Sequence, residues 1–484
     1  MKSANRTLVK ITDKLSGPVA RLYAFIAFLA IVFIAGGGSR DDIQSLLLLR
    51  PLAILFCAYA LTVKTPEQWK GRAFPLYIAG ALLALMVLQL IPLPPSVWTA
   101  LPERQIFADI ANLAGIEQPW RPLTLSPSKT LNSLFSLAIP IAAVMLYLNL
   151  ARANQKTAVT VIIGLAIVSS LWATLQLAGS PRGPLYLYDI TNNGSPVGLF
   201  SNRNHQSIFL AATIAMLGWY AATITPTARL AVPRYYGSIA AIFLFVPLIF
   251  ITGSRAGLIL MVPAVIAATL MISFGRYSAE PISSKTRVRS KARNLPASRK
   301  LIALGSFAAI ISVAGLSIYL SRSLAFDRLF SDGDPRELRE QLVPTLMKML
   351  REYFPWGSGM GTFEHVYKIY EPHELLRPSY LNQAHNDWLQ LPIEGGLPVM
   401  LIGAVAIVWF LAKLVKLAAL WKGSHFVRYT ALMSAFVMLC FLAASVGDYP
   451  LRIPSLISVL GILACVFNDS IRHIEGGKRM PSQE

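Results

Sequence analysis

The segment AHNDWLQLPIEGGLP, residues 384–398, contains a histidine that could act as a base at the edge of a membrane helix. His385, Asn386 and Asp387 stand just before a long hydrophobic block. Imidazole has an unperturbed pKa of about 6.5, so His385 is suited to accept a proton from an attacking hydroxyl group. Asn386 or Asp387 is expected to orient the ring. The alternative is that His385 only forms a structural hydrogen bond to a loop carbonyl.

Two arginines next to short turns are candidate ligands for phosphate. Arg203 lies in GLFSNRNHQSIFLA, together with Asn204 and His205, and Arg255 lies in ITGSRAGL. A guanidinium group stays charged at any physiological pH and presents a rigid fork of N–H donors that matches phosphate oxygens. The two turns therefore indicate a site for a membrane-anchored diphosphate. The alternative is that each arginine extends to the membrane interface or caps a helix end.

Four further charged residues are expected to support these groups. Glu394 lies at the start of the hydrophobic block that follows His385. Asp448 and Arg452, in SVGDYPLRIP, are predicted to form an ion pair that braces the same face. Arg377 precedes His385 and is a further candidate contact to phosphate.

Composition places these residues in an all-α polytopic membrane protein. Of the 484 residues, 55% are hydrophobic and 14% are charged, and the mean hydropathy is +0.54. These values argue against a soluble protein. A membrane-spanning helix needs about 20 apolar residues. Twelve blocks of this kind are found, at 19–37, 43–63, 73–93, 129–150, 156–178, 199–224, 235–253, 256–275, 300–320, 396–418, 427–446 and 451–468.

The distribution of charge orients the predicted spans. With residue 1 in the cytoplasm, the cytoplasmic segments hold 27 basic and 6 acidic residues, against 17 and 18 in the rest of the chain. Because basic residues near span ends are retained in the cytoplasm, both termini are predicted to be cytoplasmic and the candidate site to face outwards. The basic segment 276–300 is then a topology anchor facing anionic lipid. Nucleic-acid binding is not predicted, despite the net charge of +20.

The predicted spans divide the chain into four segments. Residues 1–128 hold helices 1–3 and an external loop, and residues 129–320 hold helices 4–9 with the arginine turns. Residues 321–395 form a large external loop between helices 9 and 10. Residues 396–484 hold helices 10–12 and a cytoplasmic tail.

The loop 321–395 is predicted to contain short amphipathic helices. Asp334, Pro335 and Glu337 form a capping pattern typical of a helix start. Leucines recur every four residues from 338 to 350 and form an apolar stripe, suited to the membrane surface or to packing on the bundle. Pro344 would kink this helix, which allows either one bent helix or two short helices.

The glycines of FPWGSGMGTF, residues 354–363, predict a tight turn. A nucleotide-binding loop is not favoured, because there is no Lys-Ser/Thr pair and no preceding strand. His365 and His373 follow in the same loop, eight residues apart and without a clear third ligand. We therefore predict no metal site.

Taken in their order along the chain, these motifs resemble those of the O-antigen ligase and O-antigen polymerase superfamily. Its members are membrane glycosyltransferases that act on undecaprenyl-diphosphate-linked glycans. The resemblance spans residues 195–455 and rests on SNRNH, GSRAG, the periplasmic loop ending in GMGTF, HNDWLQLPIEGG and DYPLRIP. It implies that Arg203 and Arg255 bind the diphosphate and that His385 activates an acceptor hydroxyl, which attacks the anomeric carbon with inversion. It implies no metal, nucleotide sugar or other cofactor. Residues 1–128 contain none of these motifs.

The leading hypothesis is a ligase of the bacterial inner membrane, with a periplasmic active site, that transfers a glycan to lipid A core or a similar acceptor. Polymerisation of O-antigen or exopolysaccharide repeat units, and transfer to a protein, share the same motifs. A transporter or flippase would place charged residues near the bilayer midplane. A structural partner of an assembly complex would tolerate changes at His385.

Overall fold

The computed structural model describes residues 16–151, 154–223, 231–274, 335–376, 380–419 and 425–476. In chain order its helices are α1 (Pro18–Ala35), α2 (Leu46–Thr62), α3 (Pro66–Trp69), α4 (Phe74–Leu90), α5 (Pro95–Trp98), α6 (Gln105–Leu113), α7 (Pro127–Leu148), α8 (Gln155–Ala178), α9 (Arg203–Ala222), α10 (Ala231–Thr252), α11 (Arg255–Phe274), α12 (Pro335–Tyr353), α13 (Phe363–Tyr370), α14 (Asp387–Ala419), α15 (His425–Ala444) and α16 (Pro454–Gly476). Short 3-10 helices cover His373–Leu375 and Pro450–Arg452. One antiparallel pair, β1 (Pro92–Leu93) and β2 (Arg121–Pro122), completes the described secondary structure.

Eight of the described helices are long and apolar enough to cross a membrane, namely α1, α7, α8, α10, α11, α14, α15 and α16. Helices α2 and α4 are also apolar but have only 17 residues each. The predicted class of all-α polytopic membrane protein is thus confirmed. Helices occupy eleven of the twelve predicted hydrophobic blocks, and the block 300–320 lies outside the described residues. The total of twelve spans stays a prediction.

Helix α9 is the central helix of the bundle. It is buried along almost its whole length, from His205 to Ala222. It packs against α8, α10, α11 and α15, which explains why apolar residues occur on all of its faces. Its first turn, which carries SNRNH, is therefore held at the centre of one end of the bundle.

The two ends of the bundle are fastened by different polar contacts. At one end, Arg72 Nε lies 2.7 Å from Asp469 Oδ1, and Tyr147 donates to Asp469 Oδ2 at 3.1 Å. At the other end, the loop after α1 meets the turns before α9 and α16, where Ser201 N donates to Gly37 O and Ser455 N to Gly36 O. The loops that meet at each end are those predicted to share a side of the membrane. Which end faces the cytoplasm stays a prediction.

An outer layer covers the end that carries SNRNH. Helix α12 is continuous through Pro344, so one helix forms here and not two. Leu342 and Leu346 of its stripe are buried against Phe363 and Ile393, so the stripe packs on protein. The predicted cap residue Asp334 lies outside the described residues.

The glycine-rich turn is clamped between residues 1–128 and α14. Gly359 has φ 112°, and a Cβ atom there would lie 2.1 Å from Thr124 Oγ1. Its backbone N–H donates to Glu394 O at 2.9 Å, and Met360 N donates to Gln89 Oε1 at 2.9 Å. The prediction of a tight turn is confirmed. The N-terminal third, which contains no family motif, supplies one wall of this clamp.

Helix α14 contains a break at Gly396, so that its first part lies in the outer layer and its second part in the membrane bundle. Gly396 has φ 59°, and a Cβ atom there would lie 2.1 Å from Pro355 O. Only glycine fits this conformation and this close approach. Residues 387–395 can therefore pack in the outer layer, while the remainder continues as the apolar candidate span.

Candidate functional site

The turn before α14 presents His385 in a defined orientation. His385 has φ 52°, a left-handed conformation that is unfavourable for a residue with a Cβ atom. On one side, Ala384 N donates to Gln390 Oε1 at 2.8 Å. On the other, Asn386 Oδ1 accepts from Leu389 N at 3.1 Å, so Asn386 is the N-cap of α14. The backbone on both sides of the histidine is thereby fixed.

The carboxylate that faces His385 is Asp448. His385 Nδ1 lies 3.9 Å from Asp448 Oδ1, and the Asp448 side chain is fully buried whereas that of His385 is 21% exposed. This separation is longer than a hydrogen bond but short enough for a strong charge interaction in a buried setting. We expected Asn386 or Asp387 to orient the ring. The described contacts of these two side chains go elsewhere, since Asn386 caps α14 and Asp387 binds Arg452, and a role for either in orienting the ring stays a prediction.

A second histidine shares the same carboxylate oxygen. His205 is fully buried, and its Nε2 lies 3.4 Å from Asp448 Oδ1. Within the described residues neither ring nitrogen of His205 meets hydrogen-bond geometry. Asp448 thus lies between two imidazoles, one buried and one partly open to solvent. This arrangement can stabilise a positive charge that develops on His385.

Tyr449 joins the three motifs and was missed by the sequence reasoning. Its ring makes edge contacts with both imidazoles, at centroid distances of 4.8 Å to His385 and 5.0 Å to His205. Asn202 Nδ2 also donates to its hydroxyl at 3.4 Å. Tyr449 belongs to the DYPLRIP motif, but an uncharged aromatic residue carries no signal of catalysis. Only its position between SNRNH and AHND reveals its role.

The starts of α9 and α11 bring the two candidate phosphate ligands to this end of the bundle. Arg203 and Arg255 are the first residues of these helices, and both are half-buried. The helices approach closely, since a Cβ atom on Gly257 would lie only 1.6 Å from Ser207 Oγ. Helix N-termini attract anions through their exposed N–H groups and the helix dipole. Several first-turn N–H groups already have protein partners, such as Gly257 N, which donates to Ser254 Oγ at 3.2 Å, so the two guanidinium groups are what favours an anionic group here.

The start of α9 is itself capped within the SNRNH motif. Asn202 Oδ1 accepts from Asn204 N at 2.8 Å, and Arg203 N donates to Asn192 Oδ1 at 3.0 Å. The predicted supporting role of Asn204 thus involves its backbone. The caps hold the first turn in place beside Tyr449.

Arg452 does not pair with Asp448, so the predicted ion pair is wrong. Arg452 Nε lies 3.3 Å from Asp387 Oδ1, and Arg452 Nη2 lies 3.0 Å from Glu394 Oε2. Burial opposes the charged form of Arg452, but the attraction of Glu394 and Asp387 outweighs it and raises the pKa of the guanidinium. The 3-10 turn that carries Arg452 follows Asp448, so it directs the two side chains to different partners.

The Arg452 network connects the site to the glycine-rich turn. Asp387 Oδ2 accepts from Ser445 Oγ and from Leu451 N, each at 3.2 Å. Glu394 Oε1 accepts from Phe363 N at 3.2 Å, next to the end of that turn. Asp387 follows His385 by two residues, so this network lies next to the turn that holds the histidine. A bracing role for Arg452, here through Asp387 and Glu394, stays a prediction.

The remaining sequence candidates lie away from this constellation. Arg377 falls outside the described residues. His365 Nδ1 is 3.1 Å from Ser126 Oγ, and burial together with nearby Lys129 lowers the pKa of this imidazole. His373 is exposed in the 3-10 helix. The structure therefore does not place these two histidines in the same site as His385.

Residues 240–404 match the family model of the O-antigen ligase, Wzy_C. The match confirms the resemblance to the O-antigen ligase superfamily that the motifs indicate. It includes Arg255, His385 and Glu394, and it is shorter than the predicted range of 195–455. Arg203 and Asp448 lie outside it, and Asp448 contacts His385 in the folded chain. No curated protein matches the chain.

Proposed function

We propose that this chain is an O-antigen ligase-like glycosyltransferase, which moves a glycan from undecaprenyl diphosphate to an acceptor hydroxyl at the periplasmic face of the inner membrane. The observation that carries this proposal is the position of His385. It lies beside Asp448, at the same end of the bundle as Arg203 and Arg255. A base and two phosphate ligands are the groups that such a transfer requires. Lipid A core, or a similar glycan, is the proposed acceptor.

In the proposed reaction, His385 accepts the proton of the acceptor hydroxyl as its oxygen attacks the anomeric carbon. Asp448 stabilises the imidazolium that forms, and His205 on the far side of Asp448 helps to hold the carboxylate in place. The bond from the anomeric carbon to the diphosphate breaks, and the diphosphate leaves with the electron pair. Arg203 and Arg255 stabilise the negative charge that develops on it. Attack opposite the leaving group inverts the anomeric configuration.

A diphosphate is already a good leaving group once two guanidinium groups neutralise it, so the proposed transfer uses no metal and no nucleotide sugar. The charged groups of the site lie at one end of the bundle. A transport pathway would instead place them near its midplane. This placement favours transfer over transport.

Replacement of His385 tests the proposal. We expect His385→Ala to lower glycan transfer by about 10²–10⁴-fold, the usual contribution of a general base. The matched control is His373→Ala, which removes an exposed histidine of the same external loop and should retain full activity. Both variants must insert into the membrane at parental levels. Full activity in His385→Ala would contradict the proposal.

The glycan profile of a deletion strain distinguishes ligation from polymerisation. If the chain is a ligase, long glycans remain on the lipid carrier and none reach the acceptor. If it is a polymerase of O-antigen or exopolysaccharide, single repeat units accumulate. An unchanged profile would exclude both activities.

A further inference from the structure

A cavity of about 630 Å³ lies between the N-terminal helices and α14, separate from the His385 constellation. Its walls come from α2, α4, α7, α13, α14, α15 and α16 and from the loops that precede α2, α14 and α16. Asp387 and Arg452 line it, whereas His385, His205, Arg203 and Arg255 do not. The Asp387–Arg452 pair is therefore a partition between the cavity and the candidate active site. No motif predicts this cavity, and one part of its wall, from Gly38 to Met86, belongs to the segment without an assigned role.

The lining of the cavity changes from charged to apolar along α7. Lys129 lies at its outer end, Asn132, Ser133 and Ser136 follow, and Leu137 and Pro140 lie deepest. Eleven residues of helix correspond to about 16 Å, roughly half of the hydrocarbon thickness of a bilayer. Opposite, α4 contributes Ile78, Leu82 and Met86 at a spacing of four. This polarity gradient matches a molecule with a polar head and an alkyl chain.

Among the described residues that line the cavity, Arg50 is the cation that no carboxylate contacts directly. Its Nε donates to Ser136 Oγ at 3.1 Å, and no carboxylate oxygen of the described residues lies within 4.0 Å of its guanidinium. The nearby carboxylate of Asp41 is bound by Lys129 at 2.8 Å. A guanidinium in an apolar setting within a membrane helix requires an anionic partner. Phosphate oxygens suit its fork of donors.

The other charges at the mouth are already paired. Lys129 is shared by Asp41 and Glu364, and Arg40 is paired with Asp42 at its rim. Glu364 also binds Lys368 at 3.1 Å. When each group is counted with its partners, four cations, Arg40, Arg50, Lys129 and Lys368, face three carboxylates, Asp41, Asp42 and Glu364, which leaves one positive charge. A lipid with one negative charge would neutralise it.

The cavity lies at the periphery of the bundle, where lipid is available. Helix α14 forms its outer wall and is the least buried of the candidate spans, with 11% of its most apolar window buried. Gly403 of α14 lines the cavity, and a Cβ atom there would have no neighbour within 4 Å. Space for an alkyl chain therefore extends along the inner face of α14.

We propose that this cavity binds one anionic phospholipid of the surrounding leaflet, with its phosphate on Arg50 and an acyl chain between α4, α7 and α14. The bound lipid fills the gap behind the Asp387–Arg452 partition and holds α14 against the N-terminal helices. Residues 1–128 thus support the candidate active site through the bound lipid and α14. The proposal is independent of the glycan that the chain transfers.

Native mass spectrometry of the full chain, released from nanodiscs that contain phosphatidylcholine, phosphatidylglycerol and undecaprenyl phosphate, tests this site. We expect one phosphatidylglycerol retained per chain. Arg50→Gln should weaken the retention of phosphatidylglycerol about tenfold, because the variant loses one charge-assisted hydrogen bond to the phosphate. Gly403→Leu fills the space and should lower retention of phosphatidylglycerol and phosphatidylcholine alike.

Two matched controls should retain lipid as the parent does. Arg234→Gln removes an arginine of α10 outside the cavity, and Gly164→Leu fills an open glycine position of α8. His385→Ala should also retain the lipid, so failure of the proposed transfer and failure of this site are distinguishable. Equal retention of both phospholipids by the parent would overturn the proposal, as would retention of undecaprenyl phosphate in place of phosphatidylglycerol. If Arg50→Gln cannot be purified, the test rests on Gly403→Leu. Retention of phosphatidylglycerol by Gly403→Leu at the parental level would then overturn the proposal.

Discussion

Replacing Arg452 with glutamine should leave two buried carboxylates without the cation that they share. Glu394 and Asp387 are 0% and 1% exposed, and lie 3.0 Å and 3.3 Å from the guanidinium. Removing one partner of a buried ion pair costs about 3–5 kcal/mol, because the remaining charge stays desolvated. We expect Arg452→Gln to lower the free energy of unfolding by this amount. Transfer activity should fall as well, since Asp387 follows His385 by two residues.

Equilibrium unfolding in mixed detergent micelles, followed by tryptophan fluorescence, measures this loss. The matched control is Lys416→Gln, because Lys416 and Glu475 form an ion pair of 2.9 Å with side chains that are 53% and 36% exposed. An exposed pair contributes at most about 1 kcal/mol. If Arg452→Gln lowered the free energy of unfolding by only about 1 kcal/mol, the buried carboxylates would not depend on this cation, and the argument would be refuted. In a Glu394→Gln background the loss should shrink, since one of the two charges is then absent.

Three further changes test other parts of the structure. Asp448→Asn should lower the rate of glycan transfer about 10–100-fold, because it removes one charge interaction with His385. Its insertion into the membrane should match that of the parent. An unchanged transfer rate would contradict the role of this carboxylate. Gly359→Ala should lower the free energy of unfolding by about 1 kcal/mol or more because of its positive φ, whereas Gly80→Ala, in an open helical position, should not lower it. The pKa of His365 is lowered in the folded chain, so its stability contribution is fully present above the unfolded pKa of about 6.5 and is lost as the pH falls below it. Unfolding measured between pH 8 and pH 5 should show less acid sensitivity in His365→Gln than in the parent.

Local sequence patterns were sufficient to predict most of the helices and the position of the turns. Apolar blocks predict helices because a span must satisfy its own backbone hydrogen bonds. The starts of α9 and α11 at Arg203 and Arg255 coincide with the predicted turns. The leucine stripe of α12 predicts a buried face, and Leu342 and Leu346 form it. Pro344 was misleading, because packing of α12 in the outer layer overrides the local cost of a proline.

The partners of the charged residues could not be predicted in this way. Arg452 is four residues from Asp448 but pairs with Glu394, which is 58 residues away in the chain. Tyr449 contacts Asn202 across 247 residues. Such pairings depend on how turns from separate helices meet, and no local periodicity encodes those distances. The cavity beside Arg50 was not predicted for the same reason, since seven helices contribute to it.

The sequence by itself determined that the chain is a helical membrane protein, and it predicted His385, Arg203 and Arg255 as the candidate groups for chemistry. Composition and the spacing of apolar blocks are sufficient for this, because the bilayer imposes helix length and composition. Only the tertiary structure decided that Asp448, rather than Asp387, faces His385, and that His205 lies behind it. Carboxylates at 387, 394 and 448 are chemically alike in the sequence. The packing of α9, α14 and the turn before α16 distinguishes them, because it sets which side chains share a buried space.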